Sequence, residues 1–401
     1  MMELHREYRI DRLLLFTVIA LTVVGVLMVY SSTALMPIAS GRGVASSREG
    51  YQFVYLKKHL LTLLVSVFVM FVFYRLSPDN LRRLSYPMLI IAILLLLAVF
   101  IPGLGLKING ARRWLRLWPS TFQPGEFAKF AMVLFLSRYL SETEDIRAKL
   151  KTFMIPVGIM FLIQGILLMQ PDFGGAFTVG ILTMAILYIA GSPIKYLAML
   201  FAFITPLLVP LLMEPYRLRR IMVFLDPWKD PYGSGFQLVQ SFVALGSGGL
   251  FGVGLGSGRQ KLNFLPEINT DFIFSLIGEE LGFAGVLVVI TLFVLFFIRG
   301  NVISKRARSN FSFYLSTGLV LMVTVQAIIN ISVVTGLVPT KGLPLPFISY
   351  GGSALLVNYM AAGVLLRLSR SEPERMSIVT REGLVRKRAR LKARMLRRKI
   401  R

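Results

Sequence analysis

The chain has 401 residues, of which 55% are hydrophobic, and its formal net charge is +25 at pH 7. It contains no cysteine and only two histidines, which excludes disulfides and thiolate chemistry and argues against a histidine-rich zinc site. Hydrophobic runs of about twenty residues recur along the chain, a pattern typical of an all-α polytopic membrane protein rather than of several soluble domains.

Ten membrane-spanning helices are predicted from these runs. Their limits are 13–30, 53–74, 86–102, 127–140, 154–169, 174–190, 196–213, 272–298, 311–336 and 347–368. An even number of spans places both termini on one side, and clusters of lysine and arginine lie in the segments on that side. This bias predicts cytoplasmic termini, with extracytoplasmic loops at about 103–126, 214–271 and 337–346.

The chain is predicted to divide into a transmembrane domain, 1–370, and a basic cytoplasmic tail, 371–401. The end of the tail, 385–401, can form a basic helix that lies on the anionic inner leaflet. Because the tail has no aromatic residue to stack on bases, nucleic acid is not predicted as a partner.

The predicted outer loops are unusually basic. Arginines outside oppose the usual topology bias, so they indicate an anionic ligand on that side, with the phosphates of the outer leaflet as the alternative. These residues are Lys107, Arg112, Arg113, Arg116, Arg217, Arg219, Arg220, Arg259, Lys261 and Lys341.

The long loop between the seventh and eighth spans, 214–271, carries its own structural signals. A run of turns at 226–235 precedes a predicted short amphipathic helix at 236–245. The glycine-rich stretch that follows, 246–258, either cradles phosphates through backbone N–H groups or permits close helix packing or a re-entrant turn. It matches neither the Walker nor the dinucleotide-binding pattern, so ATP and NAD are not indicated.

Acidic residues gather where this loop meets the eighth span. Asp271 lies at the boundary, Glu267 precedes it by four residues, and Glu279 and Glu280 follow within the apolar helix. Acids are costly at a membrane boundary, so this cluster marks the place where chemistry or transport is expected.

Several segments, in order along both halves of the chain, resemble the SEDS family (shape, elongation, division and sporulation). The motifs are Asn-Gly-Ala-Arg-Arg-Trp at 109–114, Gln-Pro-Gly-Glu at 123–126, Gln-Pro-Asp-Phe-Gly at 170–174, Asp-Pro-Trp-Lys-Asp-Pro at 226–231, Phe-Leu-Pro-Glu at 264–267, Thr-Asp-Phe-Ile-Phe at 270–274 and Lys-Gly-Leu-Pro-Leu-Pro-Phe-Ile-Ser-Tyr-Gly-Gly-Ser at 341–353. The Asp-Pro-Trp form, the short glycine linker and the basic tail are more similar to the division, FtsW-like branch than to the elongation, RodA-like branch.

The resemblance implies a peptidoglycan glycosyltransferase that polymerises lipid II by inverting transfer on the outer face of the bacterial inner membrane. Asp271 is then the candidate catalytic base, because partial desolvation at its position would raise its pKa toward a useful value. The alternative is a carboxylate that only caps the next helix, a place that aspartate favours.

The resemblance also assigns candidate substrate-binding residues. Cationic partners for the pyrophosphate are Arg112, Arg113, Lys129 and Lys341. Further candidates are Trp114, which would stack on a sugar or sit in the aromatic belt, Glu126, which would pair with Lys129 three residues on, and Glu267 and Glu280.

A divalent cation, Mg²⁺ or Mn²⁺, is an additional prediction, with Asp271 and Glu267 as its ligands near the pyrophosphate. The implied partners are a class B penicillin-binding protein transpeptidase and other divisome proteins, and the implied place is the division septum.

Two alternative functions stay open at this level. A flippase for a lipid-linked sugar would use the same cations for a pyrophosphate in transit, but it should place acids and broken helices near the middle of the membrane. A non-enzymatic divisome scaffold would not need the combination of acids and cations.

Overall fold

A computed structural model describes residues 10–33, 48–108, 110–117, 120–143, 150–213, 215–261 and 265–370. The predicted cytoplasmic tail lies outside these residues. The helices are α1 Arg12–Thr33, α2 Arg48–Arg75, α3 Pro78–Ala98, α4 Pro124–Glu142, α5 Leu150–Met169, α6 Phe173–Ile189, α7 Ile194–Met213, α8 Pro215–Leu225, α9 Phe236–Ser247, α10 Ile273–Lys305, α11 Asn310–Val334 and α12 Gly352–Ser369. The strands are β1 Gly105–Ile108, β2 Ala111–Leu117 and β3 Ser120–Phe122.

The predicted all-α polytopic fold is confirmed, and each of the ten predicted spans coincides with a helix. Within the described residues, seven helices are long and apolar enough to cross a membrane: α1, α2, α3, α5, α10, α11 and α12. The other three predicted spans correspond to α4, which carries Glu126 and Lys129, to α6, which has 17 residues, and to α7. A membrane favours helices because every backbone polar group is then satisfied within its own segment.

Polar side chains define where several helices begin. Ser77 accepts a hydrogen bond from the backbone N–H of Asn80 and caps α3, whose first residue is Pro78. Asp172 caps α6 through the N–H of Gly175, and Ser309 caps α11. The helix starts are therefore encoded locally, between long apolar runs.

The bundle has a buried centre and an apolar surface. α4, α11 and α12 are mostly buried, and α11 and α12 both pack against α4. α2 packs along α12 but leaves most of its own apolar surface exposed. An exposed surface of this composition suits contact with lipid rather than water.

The loops that were predicted to lie outside contain structure that the hydrophobic pattern did not predict. The segment between α3 and α4 forms a three-stranded antiparallel sheet in the order β1–β2–β3. The long loop contains α8 and a 3₁₀ turn, Pro227–Lys229, as well as α9, which confirms the short helix predicted from residue 236.

α10 is broken at Gly282, whose φ of 67° and ψ of −165° are not helical. The glycine-rich stretch fills the break, and a Cβ on Gly252 (φ 80°) would lie 2.2 Å from the carbonyl oxygen of Glu280. Backbone hydrogen bonds of 2.9–3.1 Å join the two segments, from Phe283 to Gly249, from Ala284 to Leu250, from Val253 to Glu279 and from Gly254 to Glu280. This engagement favours close packing over the phosphate-cradle interpretation of the stretch.

Candidate active site

Asp271 occupies a tight turn just before α10. The carbonyl oxygen of Glu267 accepts the backbone N–H groups of Thr270, Asp271 and Phe272 at 3.1–3.2 Å, and Glu267 itself has a φ of 56°. The amide of Asn330 on α11 donates to the carbonyl oxygen of Asp271 at 2.8 Å. Backbone hydrogen bonds therefore fix the position of Asp271, and its carboxylate is not needed to form the turn.

The loop between α11 and α12 lies against this turn. A Cβ on Gly342 would lie 3.3 Å from Oδ2 of Asp271, so the loop backbone passes close to the carboxylate. The same Asn330 amide donates to the carbonyl oxygen of Leu343 at 2.6 Å, and Ser349 Oγ donates to the carbonyl oxygen of Thr270 at 2.5 Å. These hydrogen bonds join the two segments around Asp271.

The surroundings of Asp271 raise its pKa to about 7, chiefly because burial disfavours the charged form and also because Glu267 is nearby. Arg220 and Arg113 act in the opposite direction. A carboxylate that titrates near neutral pH is well matched to general-base catalysis, since it is both available and able to hold a proton.

Lys341 precedes Gly342 and stands beside the same site. Its Nζ lies 3.2 Å from the centre of the Phe177 ring on α6, a cation–π contact. Burial lowers the pKa of Lys341 to about 8. A Cβ on Gly174 would lie 2.8 Å from the carbonyl oxygen of Lys341, so this loop also presses against the start of α6.

Arg113 on β2 reaches from the sheet to the turn before α6. Its Nε donates to the carbonyl oxygen of Gln170 at 3.3 Å, its Nη2 donates to the carbonyl oxygen of Pro171, and its Nη1 lies 4.0 Å from Oδ1 of Asp172. The side chain remains 29% exposed, so part of the guanidinium is open to a ligand.

The neighbours of Arg113 on β2 are placed differently. Arg112 is exposed and pairs in the sheet with Lys107 on β1, while Trp114 pairs with Leu106 and is half-buried. Two cations directly opposite each other repel, so this exposed pair would be stabilised by an anion.

Glu126 and Lys129 form the ion pair predicted from their spacing, with Oε1 and Nζ 2.8 Å apart. Nζ of Lys129 also donates to Oε1 of Gln326 at 2.7 Å, and Nε2 of Gln326 donates to the carbonyl oxygen of Pro344 at 2.9 Å. The Lys129 side chain is 1% exposed. The pair therefore lies beneath the loop next to Asp271, not on the surface of the site.

Glu280 is not brought together with Asp271. It lies nine residues further along the chain, roughly 13 Å at a helical rise of 1.5 Å per residue. Its carboxylate accepts from Nζ of Lys261 at 2.9 Å and from Ser31 Oγ of α1 at 2.6 Å, and both partners of the ion pair are at most 1% exposed. The ion pair therefore joins a residue before Asp271 in the chain, Lys261, to a residue after it, Glu280.

A cation site of Asp271 and Glu267 would have few protein ligands. Across the part of the chain that the structure describes, no group of three or more histidines or acids could hold a metal ion. Glu267 is exposed, and its carboxylate accepts from Thr270 Oγ1 at 3.0 Å. Two carboxylates completed by water and substrate phosphate are a usual arrangement for Mg²⁺, so the donor chemistry fits.

Three residues of the site were not singled out from the sequence, namely Asp172, Gln326 and Asn330, and Arg220 was predicted only as one of the basic residues of the outer loops. Arg220 on α8 donates to the carbonyl oxygen of Thr340 at 2.9 Å, next to Lys341. Asp172 was visible only as part of a motif. Gln326 and Asn330 stand four residues apart on an apolar helix, a spacing that puts two polar groups on one face.

Comparison with known proteins gives one consistent result. Residues 11–374 match the model of a family described as cell cycle protein, FtsW/RodA/SpoVE. A probable peptidoglycan glycosyltransferase FtsW of Trichlorobacter lovleyi is 40% identical over 371 residues, which cover 91% of this chain and 95% of that protein. Its counterpart in Coxiella burnetii is 40% identical over 341 residues, 84% of this chain and 92% of that protein.

Solved structures agree with the sequence comparisons. A structure described as a peptidoglycan synthase complex that coordinates polymerization and crosslinking matches 90% of this chain and 98% of its own, with a TM-score of 0.73 and 30% identity. The rod shape determining protein RodA of Thermus thermophilus matches 90% of this chain and 97% of its own, with a TM-score of 0.66 and 27% identity.

Proposed function

Because the chain belongs to the FtsW/RodA/SpoVE family of cell cycle proteins, we infer that it is a peptidoglycan glycosyltransferase acting in cell division. It is a multi-pass membrane protein. The proposed substrate is lipid II, a disaccharide-pentapeptide on an undecaprenyl pyrophosphate, which is polymerised into glycan strands.

Asp271 is proposed as the general base. The 4-hydroxyl of one sugar attacks the anomeric carbon of another with inversion, and Asp271 takes the proton of that hydroxyl. The observation that carries the proposal is the placement of the Asp271 carboxylate, which Asn330 fixes through the backbone and which the loop backbone at Gly342 passes closely. Burial there raises the pKa of Asp271 to about 7, in keeping with this role. A divalent cation bound by Asp271 and Glu267 would supply further positive charge to the pyrophosphate.

The leaving pyrophosphate needs charge stabilisation more than it needs an acid, because it is already a good leaving group. Arg113 is the first proposed contact, since its guanidinium is oriented by two carbonyl oxygens and is still partly exposed. Arg112, Lys341 and Arg220 are proposed to complete the cationic surround, and Trp114 to meet a sugar ring.

The two buried ion pairs are proposed to position these groups rather than to touch substrate. Lys129 and Glu126 support the loop of Lys341 through Gln326. Lys261 and Glu280 join the two ends of the segment that contains Asp271. Removal of either pair should then alter the geometry of the site without removing a reacting group.

The family and the charge pattern support a proposal for the cellular location and the orientation. We propose a bacterial inner-membrane protein at the division septum, with both termini cytoplasmic and Asp271 on the outer face. A class B penicillin-binding protein transpeptidase is proposed as the partner that cross-links the strands, together with other divisome proteins. A peptidoglycan synthase complex among the similar structures supports such a partner.

Asp271→Asn tests the base. The change preserves size and most hydrogen bonding, so the variant should insert, fold and bind lipid II, but it should lose polymerisation by roughly 100-fold or more. The measurement is glycan chain formation from labelled lipid II at matched expression, with lipid II binding as the control. Parental glycan yield would refute the base role, whereas loss of binding as well would assign Asp271 to a substrate or cation ligand.

A further inference from the structure

A cavity of about 360 Å³ lies between the first turn of α1 and the last turns of α10 and α12. Pockets that bind small ligands are of this size or larger. The part of α10 that follows the break at Gly282 runs to Lys305 and is roughly 34 Å long at 1.5 Å per residue. Asp271 precedes one end of α10 and the cavity adjoins the other, so the cavity is separate from the proposed active site and faces the opposite side of the membrane.

The polar lining of this cavity is mostly cationic, from Arg12, Arg299 and Arg306, with Asp11 as its acid. Asp11 is already engaged: its Oδ2 accepts from Arg299 at 2.5 and 3.1 Å, and its Oδ1 accepts the N–H of Leu14 at 2.9 Å. Among the residues that the structure describes, neither Arg12 nor Arg306 forms an ion pair. The cavity therefore presents positive charge that its own acid does not neutralise.

The rest of the lining narrows the class of ligand. These walls are apolar, formed by Ile10, Leu13, Ile303 and Leu368. A phosphate bound at the arginines with hydrocarbon beside it matches the boundary between the headgroup and the acyl chains of a lipid.

We propose that this cavity binds the phosphate headgroup of an anionic phospholipid from the leaflet opposite the Asp271 side. Arg12 and Arg306 contact the phosphate, and Arg299, fixed by Asp11, borders it. The acyl chains leave along the apolar wall. On the proposed orientation this is the cytoplasmic leaflet, which carries anionic lipid.

The test measures retention of phosphatidylglycerol by the purified full chain, using native mass spectrometry during a lipid titration. Arg12→Gln combined with Arg306→Gln should weaken retention by roughly 30-fold, the effect expected when two cations near a lipid phosphate are lost. The matched control is Arg83→Gln combined with Lys305→Gln. Both control residues are exposed and neither lines the cavity, so the same charge is removed from outside it.

The control double variant should retain phosphatidylglycerol nearly as well as the parent, and phosphatidylcholine should bind all three proteins weakly. Equal losses in the two double variants would overturn the proposal, because general surface attraction would then explain them. Millimolar inorganic phosphate that displaced phosphatidylglycerol completely would also overturn it, since the site would then recognise a free anion. Glycan synthesis should persist in both variants, so this outcome is independent of the test of Asp271.

Discussion

The pH dependence of polymerisation should report two groups of the site, Asp271 and Lys341. The base must be ionised, so activity should fall as the pH drops below the Asp271 pKa of about 7. At pH 5, two units lower, roughly 1% of the carboxylate is ionised, and kcat/KM should decline to a similar fraction. Lys341 must carry its charge, so activity should fall again as the pH rises above its pKa of about 8.

The assay is the initial rate of glycan formation from labelled lipid II between pH 5 and pH 10, at substrate concentrations well below KM. Lys341→Arg separates the two groups, because arginine stays charged throughout this range and can also stack on Phe177. This variant should keep the acidic limb and lose the alkaline one. Lys341→Met should be slow at every pH. If activity in the parent did not fall until the pH was below 5.5, the assignment of the acidic limb to Asp271 would be refuted. If activity in Lys341→Arg still fell at alkaline pH as in the parent, the assignment of that limb to Lys341 would be refuted.

Two further predictions concern the buried pair and the guanidinium. Glu280→Gln leaves the Lys261 ammonium buried without its carboxylate, which should lower the free energy of unfolding by about 3–5 kcal/mol. Thermal unfolding measures the loss, and Glu280→Gln combined with Lys261→Met should recover most of it. An unchanged melting temperature in the single variant would contradict a structural role for the ion pair. Arg113→Lys should lower kcat/KM roughly tenfold or more, because lysine cannot reproduce the forked donor geometry of arginine. Arg112→Lys keeps an exposed positive charge and should lower kcat/KM less. Equal losses of kcat/KM in the two variants would argue against a directed contact by Arg113.

Hydrophobic runs predicted the spans well because each span is a local property of the chain. Their limits were less accurate where a helix and its apolar run differ in length. α10 continues to Lys305, beyond the predicted end at residue 298, because backbone hydrogen bonding continues through a polar last turn. α12 begins at Gly352 rather than at residue 347, because Phe347 has a φ of 63° and lies in a buried loop.

Contacts of the site between residues close in sequence could be predicted, whereas contacts between distant segments could not. Glu126 and Lys129 are three residues apart, so their pairing followed from helical spacing. The partners of Glu280 are remote, since Lys261 is 19 residues away and Ser31 belongs to another helix. β2 carries only a partial strand pattern: buried Ala111 and Leu115 each precede an exposed arginine, but Arg113 and Trp114 between them interrupt the alternation.

The break in α10 bears on the choice between polymerase and transporter. A transporter is expected to combine a discontinuous helix with acids inside the membrane, and α10 has a break at Gly282 next to Glu279 and Glu280. Here the break is filled. The loop supplies the missing backbone hydrogen bonds. Glu280 pairs with Lys261, and Glu279 accepts the backbone N–H groups of Arg259 and Gln260, so both carboxylates already have partners within the protein.

The acids of the proposed site lie elsewhere, at helix starts. Glu126 is in the first turn of α4, Asp172 caps α6 and Asp271 precedes α10. Gln123 joins the starts of α4, α6 and α12, because its side chain donates to Asp172 at 3.3 Å and its N–H donates to Ser353 at 2.7 Å. The loop before α12 in turn passes Asp271, where a Cβ on Gly342 would lie 3.3 Å from Oδ2. Helix N-termini that converge at one membrane face stabilise an anionic pyrophosphate at that face. A polymerase that acts at the membrane surface requires such a site, whereas a transporter that moves its cargo through the bundle does not.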